Sequence, residues 1–199
     1  MKITKAKINQ IINNPKLKNK VELYLKIKNA TNTLEMEESF CSLYDFRANT
    51  TGLKKDEFER FKTLYFDIYK KYKSKPETKF ITILKEVDDA RKKVIENPKD
   101  KRKEISFSSK LLHTINNKKP IWDKHLVSLN NFNLNNNHEE WTEKDCGYAY
   151  DVFCNCIEDF IQKDEMAAFI KSEFKKKFKN DADQIEDIKK IDFVLWNNR

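Results

Sequence analysis

An all-α fold follows from three observations. Glycine and proline are scarce, 2 and 4 among 199 residues, too few for the tight turns of a sheet protein. Apolar residues recur at i, i+3 and i+4 through most of the chain, the period of one helix face. Charged residues reach 36% beside 39% hydrophobic, a balance that suits amphipathic helices with densely charged outer faces. The expectation is a compact multi-helix domain over residues 1–199, with enough chain to bury its own core.

The elements follow in order. Residues 1–16 are polar with scattered Ile, a short helix or loose arm that Pro15 ends. Leu17 to Lys28 alternates Lys with Leu, Val, Tyr and Ile, a pattern open to strand or helix; the helical surroundings favour helix. Leu34 to Phe46 places Met36, Phe40, Leu43 and Tyr44 on one helical face. Arg47 to Lys55 contains Gly52 and reads as a loop. Asp56 then caps a helix with Glu57 and Glu59 in its first turn, where anions are favoured. Its stripe of Phe58, Phe61, Leu64, Tyr65, Ile68, Tyr69 and Tyr72 has the spacing of core. Ser74 and Pro76 mark a new start, and Phe80, Ile81, Leu84, Val87, Arg91 and Val94 carry a helix to about Ile95. Asn97-Pro98 stops it, and Lys99 to Lys103 is a charged loop.

Beyond residue 129, Asn130 to His138 is a polar surface connection. Thr142 with Asp145 three residues on has the form of a helix N-cap. Cys146, Ala149, Tyr150, Phe153, Cys154, Ile157, Phe160 and Ile161 then make a long amphipathic helix. Met166 to Phe178 makes another. Ile185, Ile188, Ile191, Val194 and Leu195 make the last, ending at Trp196.

Composition narrows function only coarsely. The net charge of +8 permits attraction to phosphates, although a Lys-, Asn- and Ile-rich composition accounts for it equally well. Cys41, Cys146, Cys154 and Cys156 lack the spacing of a zinc site, and buried free thiols are expected. His113, His125 and His138 form no metal-type pair. No metal or other cofactor is therefore expected. The N-terminus has no apolar run fit for a signal peptide, and no stretch is long enough to span a bilayer. A soluble cytoplasmic protein is the expectation.

Chemistry concentrates between Ser106 and Leu129. Ser106, Ser108 and Ser109 precede Lys110-Leu111-Leu112-His113. Serines at a helix start cap free N–H groups, and such a start also suits a phosphate. Pro120 favours the beginning of a second helix, which places Asp123 near its N-terminus. A helix–turn–helix hairpin brings Lys110 and Asp123 to one mouth. A lysine in an apolar pocket is an amine nucleophile, and a carboxylate beside it shuttles protons or stabilises a cation. The alternative from the residues alone is a surface lysine and an aspartate cap.

Phe107-Ser108-Ser109-Lys110-Leu111-Leu112 followed by Pro120-Ile121-Trp122-Asp123-Lys124-His125-Leu126 resembles the core motif of the helix–hairpin–helix DNA glycosylases. The likeness covers about residues 105–129. Lys110 matches the lysine of the bifunctional enzymes, and Asp123-Lys124-His125 matches the D-x-H part of their aspartate motif. The resemblance implies two helical lobes around a cleft, with DNA as partner and a base flipped from the stack. Asp123 would be the catalytic carboxylate and Lys110 the Schiff-base nucleophile. Ser106, Ser108, Ser109, Lys124 and His125 would contact nucleic acid, with Trp122 or Trp141 stacking on the base. The activity implied is that of a DNA glycosylase, with or without lyase activity. Serines stand here where the family has glycines, so the second reading is a non-catalytic helical module that binds nucleic acid or protein, for example in a defence or regulatory system.

Overall fold

A computed structural model describes residues 3–95, 103–123 and 141–198, and the described residues are mostly helical, with no strand among them. The helices are α1 (Lys5–Ile12), α2 (Pro15–Asn29), α3 (Thr33–Tyr44), α4 (Ala48–Thr51), α5 (Lys55–Tyr72), α6 (Phe80–Val94), α7 (Ile105–Ile115), α8 (Glu143–Lys163), α9 (Glu165–Phe178), α10 (Asn180–Asp183) and α11 (Asp187–Trp196). Apolar periodicity located the long ones. The two four-residue helices, α4 inside the expected Arg47–Lys55 loop and α10 after α9, are too short to carry a periodic signal.

Local chemistry sets the boundaries. Pro15 closes the first segment by opening the second: it stands at the start of α2, with Asn14 accepting from the Lys16 amide at 2.9 Å, because proline suits the first helical position. Asn32 caps α3 in the same way, accepting from the Glu35 amide at 2.8 Å. Asp56 does not cap α5; it lies inside the first turn. Glu57 caps instead, reaching back to accept from the Lys54 amide at 2.8 Å. The expected cap at Thr142 is present as a reciprocal box: Thr142 Oγ1 accepts from the Asp145 amide, and Asp145 accepts from the Thr142 amide at 2.9 Å.

The core forms where the helix faces meet. Helix α7 packs on α5 and α6, and α6 packs on α8. Helix α2 pairs with α3, while α9 gathers α1, α8, α10 and α11. Phe46, just past the end of α3, is a hub whose ring lies 4.6 Å from Tyr65, 4.9 Å from Phe107 and 5.3 Å from Phe58. Most of its contacts are tilted or edge-on, the arrangement aromatic quadrupoles prefer. Leu111 and Leu112 of α7 are fully buried against these layers.

A buried ionic network sets where α7 begins. The Arg91 guanidinium meets Glu104 at 2.7 Å and donates to the Thr51 carbonyl at 3.0 Å. Asp88 accepts from the Glu104 amide at 2.9 Å and faces Lys103 at 3.3 Å. Charges this deep persist only when paired, so α6 dictates the position of Glu104 and the helix starts immediately after it. The α2 and α11 ends of the chain are joined as well. Tyr24 donates to Glu186 at 2.9 Å, Lys28 pairs with Glu186 at 2.6 Å, and Lys20 donates to Asn197 at 2.7 Å.

Candidate functional site

The serines before Lys110 are not a helix cap. Helix α7 begins at Ile105 with Glu104 at the cap position, so Ser106, Ser108 and Ser109 all lie inside it. Ser108 and Ser109 have no solvent exposure. Phe107, Leu111 and Leu112 are drawn into the core, and Ser108 and Ser109 between them are buried with them. A phosphate therefore has no access to Ser108 or Ser109. Ser106 is half-buried, and its carbonyl accepts from Ser109 Oγ at 2.8 Å.

Ser109 has a different task. Its Oγ accepts from the Trp122 amide at 2.9 Å, tying the chain after Pro120 back onto α7. From the other side, Tyr150 of α8 donates to the Pro120 carbonyl at 2.6 Å. These two bonds fix the extended stretch Pro120–Asp123, which is not helical. Trp122 is 5% exposed, with its ring 5.2 Å from Phe153. It is a core residue and offers no open face to a base. Trp141 is half-buried and packs against the core. Lys124 and His125, together with the helix expected after Asp123 and the loop Asn130–His138, lie outside the described residues.

Lys110 and Asp123 do fall within electrostatic reach of each other. Lys110 is half-buried, its amine 4.4 Å from the Phe107 ring centre and 5.9 Å from that of Tyr44. Loss of water pulls its pKa down to about 8, against the opposing charge of Asp123, which is its strongest stabilising neighbour. About half of the molecules then carry a neutral amine at pH 8. A solvated lysine at that pH is almost wholly protonated.

Behind Lys110 lies a polar cluster that no motif announced. Lys189 of α11 is 2% exposed. Its ammonium pairs with Asp192 at 2.6 Å, donates to the Tyr44 hydroxyl at 3.4 Å, and lies 4.9 Å from the Tyr44 ring centre. Burial works against this ammonium, yet Asp192 and Tyr44 outweigh it and hold the Lys189 pKa above the ordinary lysine value. His113, one turn after Lys110, is also buried. Its Nδ1 meets the Lys119 carbonyl at 2.6 Å, so Nδ1 carries the proton, and Nε2 is buried without a hydrogen-bond partner. Burial and the Lys189 charge push the His113 pKa down to about 3. A cavity of about 440 Å³ opens beside it, walled by Tyr24, Lys28, Tyr69, His113 and Asn117. The signal for this cluster was available: Lys189 and Asp192 stand at i and i+3 on a helix face shared with apolar residues, where unpaired buried charges would be intolerable.

Among the described residues no three side chains of His, Cys, Asp or Glu gather in a metal-binding group, and no helix is long and apolar enough to cross a membrane. The four cysteines are free thiols; Cys146 and Cys154 are buried, Cys41 and Cys156 half-buried. Comparison with protein-family models, with curated proteins and with solved structures finds no match to this chain.

Proposed function

We propose that the chain is a DNA glycosylase acting through an amine nucleophile, with Lys110 as that amine and Asp123 as its carboxylate partner. The observation that carries this reading is the Lys110 amine, desolvated to a pKa of about 8 with Asp123 as its leading counter-charge. An amine in this state attacks carbon near neutral pH, where an ordinary lysine is inert. Lys110 Nζ would bond to C1′ of a flipped nucleotide as the C1′–N bond breaks. The base leaves with the electron pair and takes up a proton. Asp123 accepts the proton that the attacking nitrogen loses and passes it to O4′ as the C1′–O4′ bond opens, leaving a 4′-hydroxyl and a protonated imine. Hydrolysis of that imine gives an abasic site; β-elimination from it cuts the strand.

The net charge of +8 supports DNA as the partner. Phosphate contact would fall to surface lysines, given that Ser108 and Ser109 are buried. Duplexes carrying single modified bases, treated with borohydride, test the reading. A trapped covalent adduct is expected, lost in Lys110→Gln, with base excision lost in Asp123→Asn. An absence of adduct, abasic product and strand cleavage across a broad panel of lesions would sink it.

The burial of Ser108, Ser109 and Trp122 favours a second reading, a helical module that binds nucleic acid or protein without catalysis. DNA binding that weakens steeply with salt, with no product formed, would establish it.

A further inference from the structure

Two lysines, the half-buried Lys110 of α7 and the buried Lys189 of α11, lie near one ring, that of Tyr44. The buried carboxylate Asp192 acts on both: it pairs with Lys189, and its charge reaches the Lys110 amine. Asp192 is held by Lys189 at 2.6 Å, three residues away on the same helix. The groups that face the Lys110 amine are Asp123 after Pro120, Asp192 and Lys189 from α11, Glu104 before α7, and the rings of Tyr44 and Phe107. Glu104 is committed to Arg91.

We propose that Lys189 is a positioning residue for Lys110: by engaging Asp192 it withholds a buried carboxylate from the Lys110 amine and leaves that amine free to react. A carboxylate in an interior of low dielectric pairs with whichever cation is closest and best desolvated. Lys189 has the shorter path, along its own helix, and Tyr44 helps to hold it. Without Lys189, the Asp192 charge would act uncompensated on Lys110, which already feels it. Pairing would hold Lys110 as an ammonium, which cannot attack carbon. Lys189 also repels the Lys110 charge directly; competition for a shared anion adds to that repulsion, and removal of the anion tells the two apart.

The biological meaning of the inference rests on Lys110 being the nucleophile, but its test does not. The folded full-length protein is exposed to trace acetic anhydride across pH 6–11, and Lys110 acetylation is quantified by mass spectrometry of its peptide. The wild-type midpoint is expected at about 8. Lys189→Met should raise the midpoint by at least one pH unit, a tenfold loss of reactive amine at pH 7. Lys189→Met with Asp192→Leu should restore it close to wild type, which mere loosening of the core would not do. Asp192→Asn alone should leave the midpoint at or below wild type.

An unmoved midpoint in folded Lys189→Met overturns the proposal, as does a double variant that stays shifted. If Lys189→Met does not fold, the double variant and Asp192→Asn decide: a raised midpoint in either one overturns it. Shifts as expected, without any borohydride-trapped DNA adduct, would keep the competition and remove the glycosylase reading.

Discussion

Lys110 and His113 stand one turn apart on α7, and both lose water at a cost. For Lys110 the folded pKa lies below the solvated value, so stability depends on pH in a defined direction. Below pH 8 both states hold the proton and the full cost of burying the charge is felt. Between about 8 and 10.5 the unfolded chain binds more protons, so stability rises with pH. Lys110→Met should therefore stabilise the protein at pH 7 by about 2 kcal/mol and flatten that rise, measured by urea unfolding from pH 7 to 10.5. His113 gives the opposite limb. Its folded pKa of about 3 sits below the ordinary 6.5, so its contribution is complete above pH 6.5 and declines as pH falls toward 3. Relative to His113→Asn, which keeps a donor for the Lys119 carbonyl, the native protein should lose about 2 kcal/mol between pH 7 and pH 5.

At the scale of elements, the stretch Pro120–Asp123 is the most exposed to single changes. It has no helix of its own and is held by the hydroxyls of Ser109 and Tyr150. Removing either hydroxyl leaves a buried backbone group without its partner, a cost of about 1–3 kcal/mol. Ser109→Ala and Tyr150→Phe should each lower the melting temperature, and each should weaken borohydride trapping more than it weakens DNA binding, because the carboxylate at Asp123 loses its placement. The cap at Thr142 is a separate device; Thr142→Ala should cost about 1 kcal/mol by chemical denaturation, with DNA adduct formation unchanged.

What the sequence disclosed at this scale follows from what makes helices. Apolar periodicity marked α5, α6, α8 and α9, and the Thr142–Asp145 pair marked a start, because both are local. The role of the serines was not legible. Whether a serine before a helix caps it or enters it is decided by Asp88 and Arg91, on another helix, which hold Glu104 in place. The Lys110–Lys189 relationship was hidden for the same reason: it spans helices far apart in the chain, and only packing brings them to one tyrosine.

For the whole molecule, charge is the property that reaches furthest. An excess of 40 Lys and Arg over 32 Asp and Glu is spread over mixed-sign helices. Binding to phosphates would therefore come from many weak contacts and fall steeply with salt. The expected result is a linear decline of log affinity with log salt, measured by fluorescence anisotropy on a labelled duplex. The slope should be nearly unchanged in Lys110→Gln, which removes one lysine among many. A slope that collapses in that variant would instead place Lys110 among the phosphate contacts.

The bonds from Tyr24, Lys28 and Lys20 to Glu186 and Asn197 have a consequence for synthesis of the protein. Helix α11, which brings Lys189 and Asp192, leaves the ribosome after every other described helix. Until it docks against α2 and α3, Tyr44 lacks the Lys189 ammonium, and Lys110 lacks the charges of Asp192 and Lys189. On the reading proposed above, a nascent chain stalled before Asp187 would carry Lys110 without the Lys189–Asp192 pair that tunes it. The competence of that amine would then arrive with the docking of α11, late in synthesis.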